Sequence, residues 1–253
     1  MIFNLTNLAG LAVVVLCALL MVIFRIVYRK QPLQGLRLNP AFNRLRQAIE
    51  LAVEDGSRLH VSLGNASPYS QQSASALVGL SALEPVTQLS AASDQPPVAT
   101  SGDGGMAVLS QDILRASYRR ANTPSLYDPS LGRLGGPTPF AYIAGTLPVM
   151  QDEDVSANIF LGSFGPEVGL LADTAEQKNS FTLAGSDSLP AQAVLYATAN
   201  EPIIGEELFA SGASLQTNPY HPASLRAQDV LRWLIFLAIL AGALLKLLNI
   251  KMI

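Results

Sequence analysis

Three glycine- or serine-rich segments hold the residues best suited to chemistry. They are SLGNAS (Ser62–Ser67), ATSGDGG (Ala99–Gly105) and FLGSFGPE (Phe160–Glu167), each between a short apolar run and a helical pattern. Gly102–Ala107 reads GDGGMA, a fit to G-x-G-x-x-A. Glycines at such a turn let phosphate oxygens reach backbone N–H groups at a helix N-terminus. The surroundings argue for less. The motif is not in the first strand–helix unit, and no strand-end acid follows about 20 residues on, since Asp128 falls in a Pro-rich stretch. A tight turn that needs positive φ accounts for the glycines equally well. Asp103 has two roles open to it. The favoured one is capping the next helix by accepting its free N–H groups. The other is a magnesium carboxylate, which needs Asp94 and Asp112 folded beside it. The ligand-binding candidates are therefore Ser62, Gly64, Ser101, Gly102, Asp103, Gly104 and Gly162, all at strand ends.

Other reactive side chains are few. His60 lies in the apolar–polar alternation LHVSL, sharing a strand face with Ser62. Two residues along a strand puts their side chains roughly 7 Å apart, too far for a nucleophile–base pair, and no G-x-S-x-G elbow occurs. A hydrogen-bonded, semi-buried histidine is the expected reading. His221 stands between prolines at the surface near the second apolar stretch. Gly185–Ser188 (GSDS), after a strand, has the makings of a phosphate site or an ordinary turn, the turn being favoured, and Asp152–Asp154 reads as a solvated hairpin tip. The single cysteine, Cys17, lies in an apolar run, which excludes an intrachain disulfide and a thiolate cluster in the polar part. Two histidines without such thiols argue against a zinc site and leave a magnesium carboxylate site open. No catalytic residue and no metal ligand is assigned, and no cofactor is expected.

The elements that must position these residues alternate. The periodicity predicts a helix over Pro40–Asp55 ended by Gly56, a strand over Leu59–Leu63, and a helix over Ser73–Leu89 that Pro85 ends or kinks. The pattern repeats: strand Pro97–Thr100, glycine turn, helix Met106–Ala121. Asn122–Pro139, rich in proline and glycine, reads as a linker or wrapping loop. Phe140–Val149 and Ser156–Gly162 read as strands, Glu167–Gln177 as a helix and Phe181–Ala184 as a strand. Ala193–Thr198 is strand or helix, and Glu201–Phe209 a short helix. Such alternation predicts an α/β fold, a mostly parallel Rossmann-like sheet with flanking helices. Ligands of such sheets sit beyond the strand ends.

Two apolar stretches bracket this domain. Leu8–Phe24 carries no charge, and Val230–Leu248 carries only Arg232 and Lys246. A bilayer core about 30 Å thick needs roughly 20 such residues in a helix. The expected organisation is an N-terminal transmembrane anchor (1–30), a soluble α/β domain (31–222) and a C-terminal transmembrane anchor (223–253). Arg25, Arg29, Lys30 and Arg37 follow the first run, without a preceding basic segment or cleavage site, as in an uncleaved anchor. The positive-inside rule then favours the domain in the cytoplasm and both termini outside; Arg226 and Arg232 against Lys246 and Lys251 around the second stretch leave the inverted topology, with the domain outside, as the alternative. Trp233 takes the place of an interfacial aromatic, and Asn218–Pro222 that of an extended lead. Gly10 and the group Ala238, Ala241, Gly242 and Ala243 leave room for helix pairing, within or between chains.

Composition narrows the partners. About 180 residues between the anchors suit one α/β core. Charged residues make up 14% of the chain and the net charge is −3. No basic stripe suggests nucleic acid; the membrane-proximal Lys and Arg suit topology and anionic headgroups.

AVEDGSRLHVSLG (Ala52–Gly64), ASALVGLSAL (Ala74–Leu83), DQPPVATSGDGG (Asp94–Gly105) and LSQDILRASYRRA (Leu109–Ala121) carry a resemblance. Together they resemble a family of uncharacterised bacterial membrane proteins with a domain of unknown function after an N-terminal span. The resemblance implies a bacterial inner-membrane protein and supplies no activity. The functional expectation is a non-enzymatic scaffold or accessory subunit, partnered by the lipid bilayer, by copies of itself as a homo-oligomer, or by other membrane subunits. The alternative is a tethered α/β domain that binds a small ligand or nucleotide, with hydrolysis as an extension.

Overall fold

The computed structural model describes residues 5–27, 39–90, 93–215 and 221–247. The chain divides into a unit of residues 38–217 and a unit made of 1–37 and 218–253. The described α-helices are α1 (Leu5–Val27), α2 (Ala41–Asp55), α3 (Ser73–Leu89), α4 (Gly104–Arg120), α5 (Pro139–Asp152), α6 (Gly169–Gln177), α7 (Leu189–Thr198), α8 (Glu207–Ser214) and α9 (His221–Leu247). The strands are β1 (Arg58–Gly64), β2 (Val98–Ser101), β3 (Gly132–Leu134), β4 (Val155–Ser163), β5 (Phe181–Ser186) and β6 (Glu201–Ile203).

The six strands form one all-parallel sheet in the order β3-β2-β1-β4-β5-β6. This is the order of a doubly wound sheet. The alternation in β1 sets its two faces. Leu59, Val61 and Leu63 point to a core shared with Ile159 and Leu161 of β4, Leu45 and Ile49 of α2, and Leu80 and Leu83 of α3. The opposite face is covered by α5, α6 and α7, whose Tyr142, Ile143, Leu171 and Leu195 pack with Phe160 and Ala184. A parallel sheet must be covered on both faces because its strands have no solvated side. Gly79 permits the closest helix–sheet approach. A Cβ there would stand 2.2 Å from the Leu161 carbonyl oxygen.

Several segments differ from the sequence expectation. Phe140–Val149 is not a strand but lies within α5. Thr138 caps that helix through Ala141 N–H (3.3 Å), and Pro139 at the first helical position is already preset for it. Gly145 lets the helix ride against the Gly135 carbonyl. The Asn122–Pro139 loop contains two 3-10 turns and the edge strand β3, which pairs with β2. Asp152–Asp154 is no hairpin tip, since it joins α5 to β4, and Glu153 forms ion pairs with Arg58 and Arg133. Ala193–Thr198 is helical, within α7. Glu201–Phe209 splits into β6 and the first turn of α8. Helix α3 runs through Pro85 to Leu89.

In the smaller unit α1 packs along α9. The apolar side chains of both stay uncovered: none of Gly10–Val27 is buried, and 6% of Pro222–Leu244. Both helices are long and apolar enough to cross a membrane. A Cβ at Gly10 or Gly242 would meet nothing within 4 Å, so neither glycine makes the α1–α9 contact. Of the extended lead expected over Asn218–Pro222, residues 218–220 lie outside the described residues. His221 and Pro222 begin α9 instead.

Candidate functional site

All six strands run the same way, so the turns after them gather at one edge. The strand order reverses between β1 and β4. Their connections leave to opposite faces and open a crevice, the place where doubly wound sheets hold ligands. The cleft there has a volume of about 470 Å³. Its walls include Asn65, Ser67, Ser70 and Gln72 after β1, Ser163 at the end of β4 with Gly165 and Glu167 after it, and Pro139 and Ser188 from the starts of α5 and α7.

The glycines proposed as phosphate cradles have another task. Asn65 N–H donates to the Ser163 carbonyl (2.9 Å) and Gly102 N–H to the Gly64 carbonyl (2.8 Å). A Cβ at Gly64, whose φ is +76°, would come within 2.2 Å of the Ser163 carbonyl oxygen. One at Gly162 would come within 2.1 Å of the Leu63 carbonyl oxygen, and one at Gly102 within 2.1 Å of Asn65 Oδ1. These three residues fasten neighbouring turns to one another. Gly104 faces open space, and Ser101 Oγ donates to the Asp103 carbonyl (3.1 Å).

Carboxylates occupy the positions where an anion would be drawn. Asp103 Oδ1 accepts from Met106 N–H at the start of α4 (3.0 Å). Glu167 Oε1 accepts from Gly165 N–H ahead of α6 (3.0 Å). Asp187 Oδ2 accepts from Ser75 Oγ in the first turn of α3 (2.7 Å). Each complements a helix dipole from inside the chain. Asp103 is thus a cap. Asp94 lies near Gly56, at the opposite end of the sheet, so the Asp94–Asp103–Asp112 set is not assembled. Among the described residues no group of three or more His, Cys, Asp and Glu side chains could hold a metal ion.

Beneath the crevice runs a buried polar row. Ser180 Oγ donates to the Ala175 carbonyl (3.0 Å) and so accepts from Asn158 Nδ2 (2.8 Å). This orients Asn158 with Oδ1 toward His60 Nδ1 (3.0 Å), which must carry the proton. His60 Nε2 is then an acceptor for Thr100 Oγ1 (2.8 Å). Thr100 in turn accepts from the Tyr142 hydroxyl (3.1 Å), and Tyr142 accepts from Ser62 Oγ. Burial pushes the His60 pKa down to about 4, against smaller opposing effects of the Asn158 hydrogen bond and the Glu153 charge. Burial also raises the Tyr142 pKa, so its hydroxyl stays protonated. His60 is fully buried rather than semi-buried, neutral, and bonded at both ring nitrogens. Ser62 bonds Tyr142 instead of His60. This arrangement holds no poised base–nucleophile pair.

Of the sequence candidates, none lines the crevice, although Gly64 and Gly162 immediately precede lining residues. The strand-end segments SLGNAS and FLGSFGPE hold the wall residues Asn65, Ser67, Ser163, Gly165 and Glu167, and GSDS ends in Ser188; Ser70 and Gln72 carry no signal beyond a polar loop. A family model described as a domain of unknown function matches residues 1–253, in line with the resemblance carried by Ala52–Ala121. No curated protein and no solved structure matches the chain.

Proposed function

We propose that this chain, which belongs to the DUF6754 family, is a membrane-anchored, non-enzymatic accessory module. In this reading α1 and α9 span a bacterial inner membrane and hold the α/β domain at its cytoplasmic side. There the domain self-associates or docks onto a larger membrane complex. The observation that carries the reading is the uncovered apolar surface of both helices, with 0% and 6% of their apolar windows buried. A water-soluble protein would have to cover such surface; lipid covers it without cost. The internal use of His60, Asp103 and Glu167 supports a role that is not catalytic. Alkaline carbonate washing should leave the intact chain in the membrane fraction, and its mass in mild detergent should exceed that of one chain. Release into the aqueous wash, or a monodisperse monomer without a partner, would overturn the reading.

The second reading is a tethered ligand-binding domain, and the crevice at the β1/β4 reversal favours it. Thermal-shift screening of nucleotides, phosphosugars and neutral sugars separates the two. A ligand that binds only the folded state must raise the unfolding midpoint. The accessory reading expects no shift from any of the three classes.

A further inference from the structure

We infer that the crevice at the β1/β4 reversal docks a basic segment of a partner protein, an arginine or lysine set between apolar side chains. The inference rests on the accessory-module reading and names the partner chemistry for it.

Shape comes first. The cleft is broad and open, suited to a segment laid across it; small-molecule sites enclose most of their ligand. Charge comes second. No Lys or Arg lines the cleft, and Glu167 is its charged wall residue. Asp187 precedes the wall residue Ser188 without lining the cleft; its Oδ2 accepts from Ser75 and its Oδ1 is buried without a hydrogen-bond partner among the described residues. The helix starts that would attract an anion are already held by Asp103, Glu167 and Asp187. An anionic ligand would meet like charge, and a cation meets its complement. Exposed side chains next in sequence to the wall come third. Tyr69, Phe140 and Leu189 are 95%, 71% and 78% exposed, and each adjoins a wall residue in sequence: Ser70, Pro139 and Ser188. Exposed aromatic faces hold guanidinium and ammonium groups, and large apolar side chains around a polar floor form the anchors of interfaces. Cytoplasmic loops of membrane proteins are rich in Lys and Arg. The observations therefore fit such a loop and disfavour a nucleotide or phosphosugar.

The test uses the full chain in uncharged detergent micelles and fluorescence anisotropy of a fluorescein-labelled eight-residue peptide alternating arginine and leucine. A glutamate–leucine peptide is the counterpart, and micelles alone give the baseline. The arginine peptide should bind saturably and about tenfold more tightly than its counterpart. Glu167→Gln should weaken it about fivefold while keeping an acceptor for Gly165 N–H. Tyr69→Ala, at a 95% exposed position that folding does not need, should weaken it about two- to fivefold. Equal binding of the two peptides, arginine-peptide binding that both variants leave unchanged, or displacement of the arginine peptide by glucose 6-phosphate would overturn the inference. Equal peptide binding by a chain that still runs as an oligomer or complex removes this site alone. A partnerless monomer removes the accessory reading itself.

Discussion

Asn158 Oδ1 stands 3.0 Å from His60 Nδ1, and the orientation of this amide sets the direction of the hydrogen bonds in the buried row that ends at Ser62. The row starts at a fixed acceptor, the Ala175 carbonyl, which orients Ser180 and through it Asn158. A protonated imidazole would have two donors. Its Nε2 would then turn from acceptor to donor and deprive the Thr100 O–H of its acceptor, with no carboxylate in contact to offset the buried charge.

Stability should therefore fall in mild acid. The His60 pKa is about 4 in the folded protein against 6.5 for the free side chain. Between those values the unfolded chain binds the extra proton. This contribution is complete above pH 6.5 and lost as pH drops toward 4, amounting to about 3 kcal/mol. Urea midpoints measured at pH 7, 5.5 and 4.5 should decline in that window. A His60→Asn variant, though less stable overall, should show a flatter profile.

Removing the Tyr142 hydroxyl tests whether the row acts as a unit. Tyr142→Phe strands the Ser62 hydroxyl in a buried site, while Thr100 keeps its bond to His60, at a cost of about 1–3 kcal/mol. Ser62→Ala in the Tyr142→Phe background should cost less than Ser62→Ala alone. Additive costs in a double-mutant cycle would show that the two hydroxyls are not coupled.

Two glycine substitutions should move stability in opposite directions. Gly79→Ala drives a methyl group toward the Leu161 carbonyl and should destabilise by about 1–3 kcal/mol. Gly104→Ala enters open space in the first turn of α4 and should be neutral or stabilising by up to about 1 kcal/mol. Thermal midpoints of the two variants, compared with the parent, read out both.

Asp103 should behave as a helix cap. Asp103→Ala loses the bond to Met106 N–H, for about 1 kcal/mol, and Asp103→Asn should recover most of it. If Asp103 served a metal instead, Asp103→Asn would be as damaging as Asp103→Ala and added magnesium would stabilise the parent protein alone.

The strong periodicities were legible in the chain itself. LHVSL, PVAT and SANIFLG became β1, β2 and β4 because their alternation or apolar runs match a doubly covered sheet, and Gly56 and Asp103 announced a helix end and a helix start. FAYIAGTLPV misled because aromatic and β-branched residues favour strands locally. Tertiary packing through Gly145 and the Thr138–Pro139 start decided for a helix. Strands β3 and β6 are three residues each and owe their conformation to a neighbour, which no local pattern records. The turns SLGNAS and FLGSFGPE at the strand ends mark much of the crevice wall in the chain itself. The glycine-rich β2 turn points elsewhere, since Gly102 serves the close approach of Asn65. The strand reversal that opens the cleft is a property of the whole topology.

The shortness of β3 and β6 has a consequence for how copies meet. An exposed strand border invites endless stacking of one copy on the next. Here each border has only three residues of ladder to offer, too little to template a fibre. Contacts between copies of this domain are thereby directed away from strand-on-strand stacking at its sheet borders.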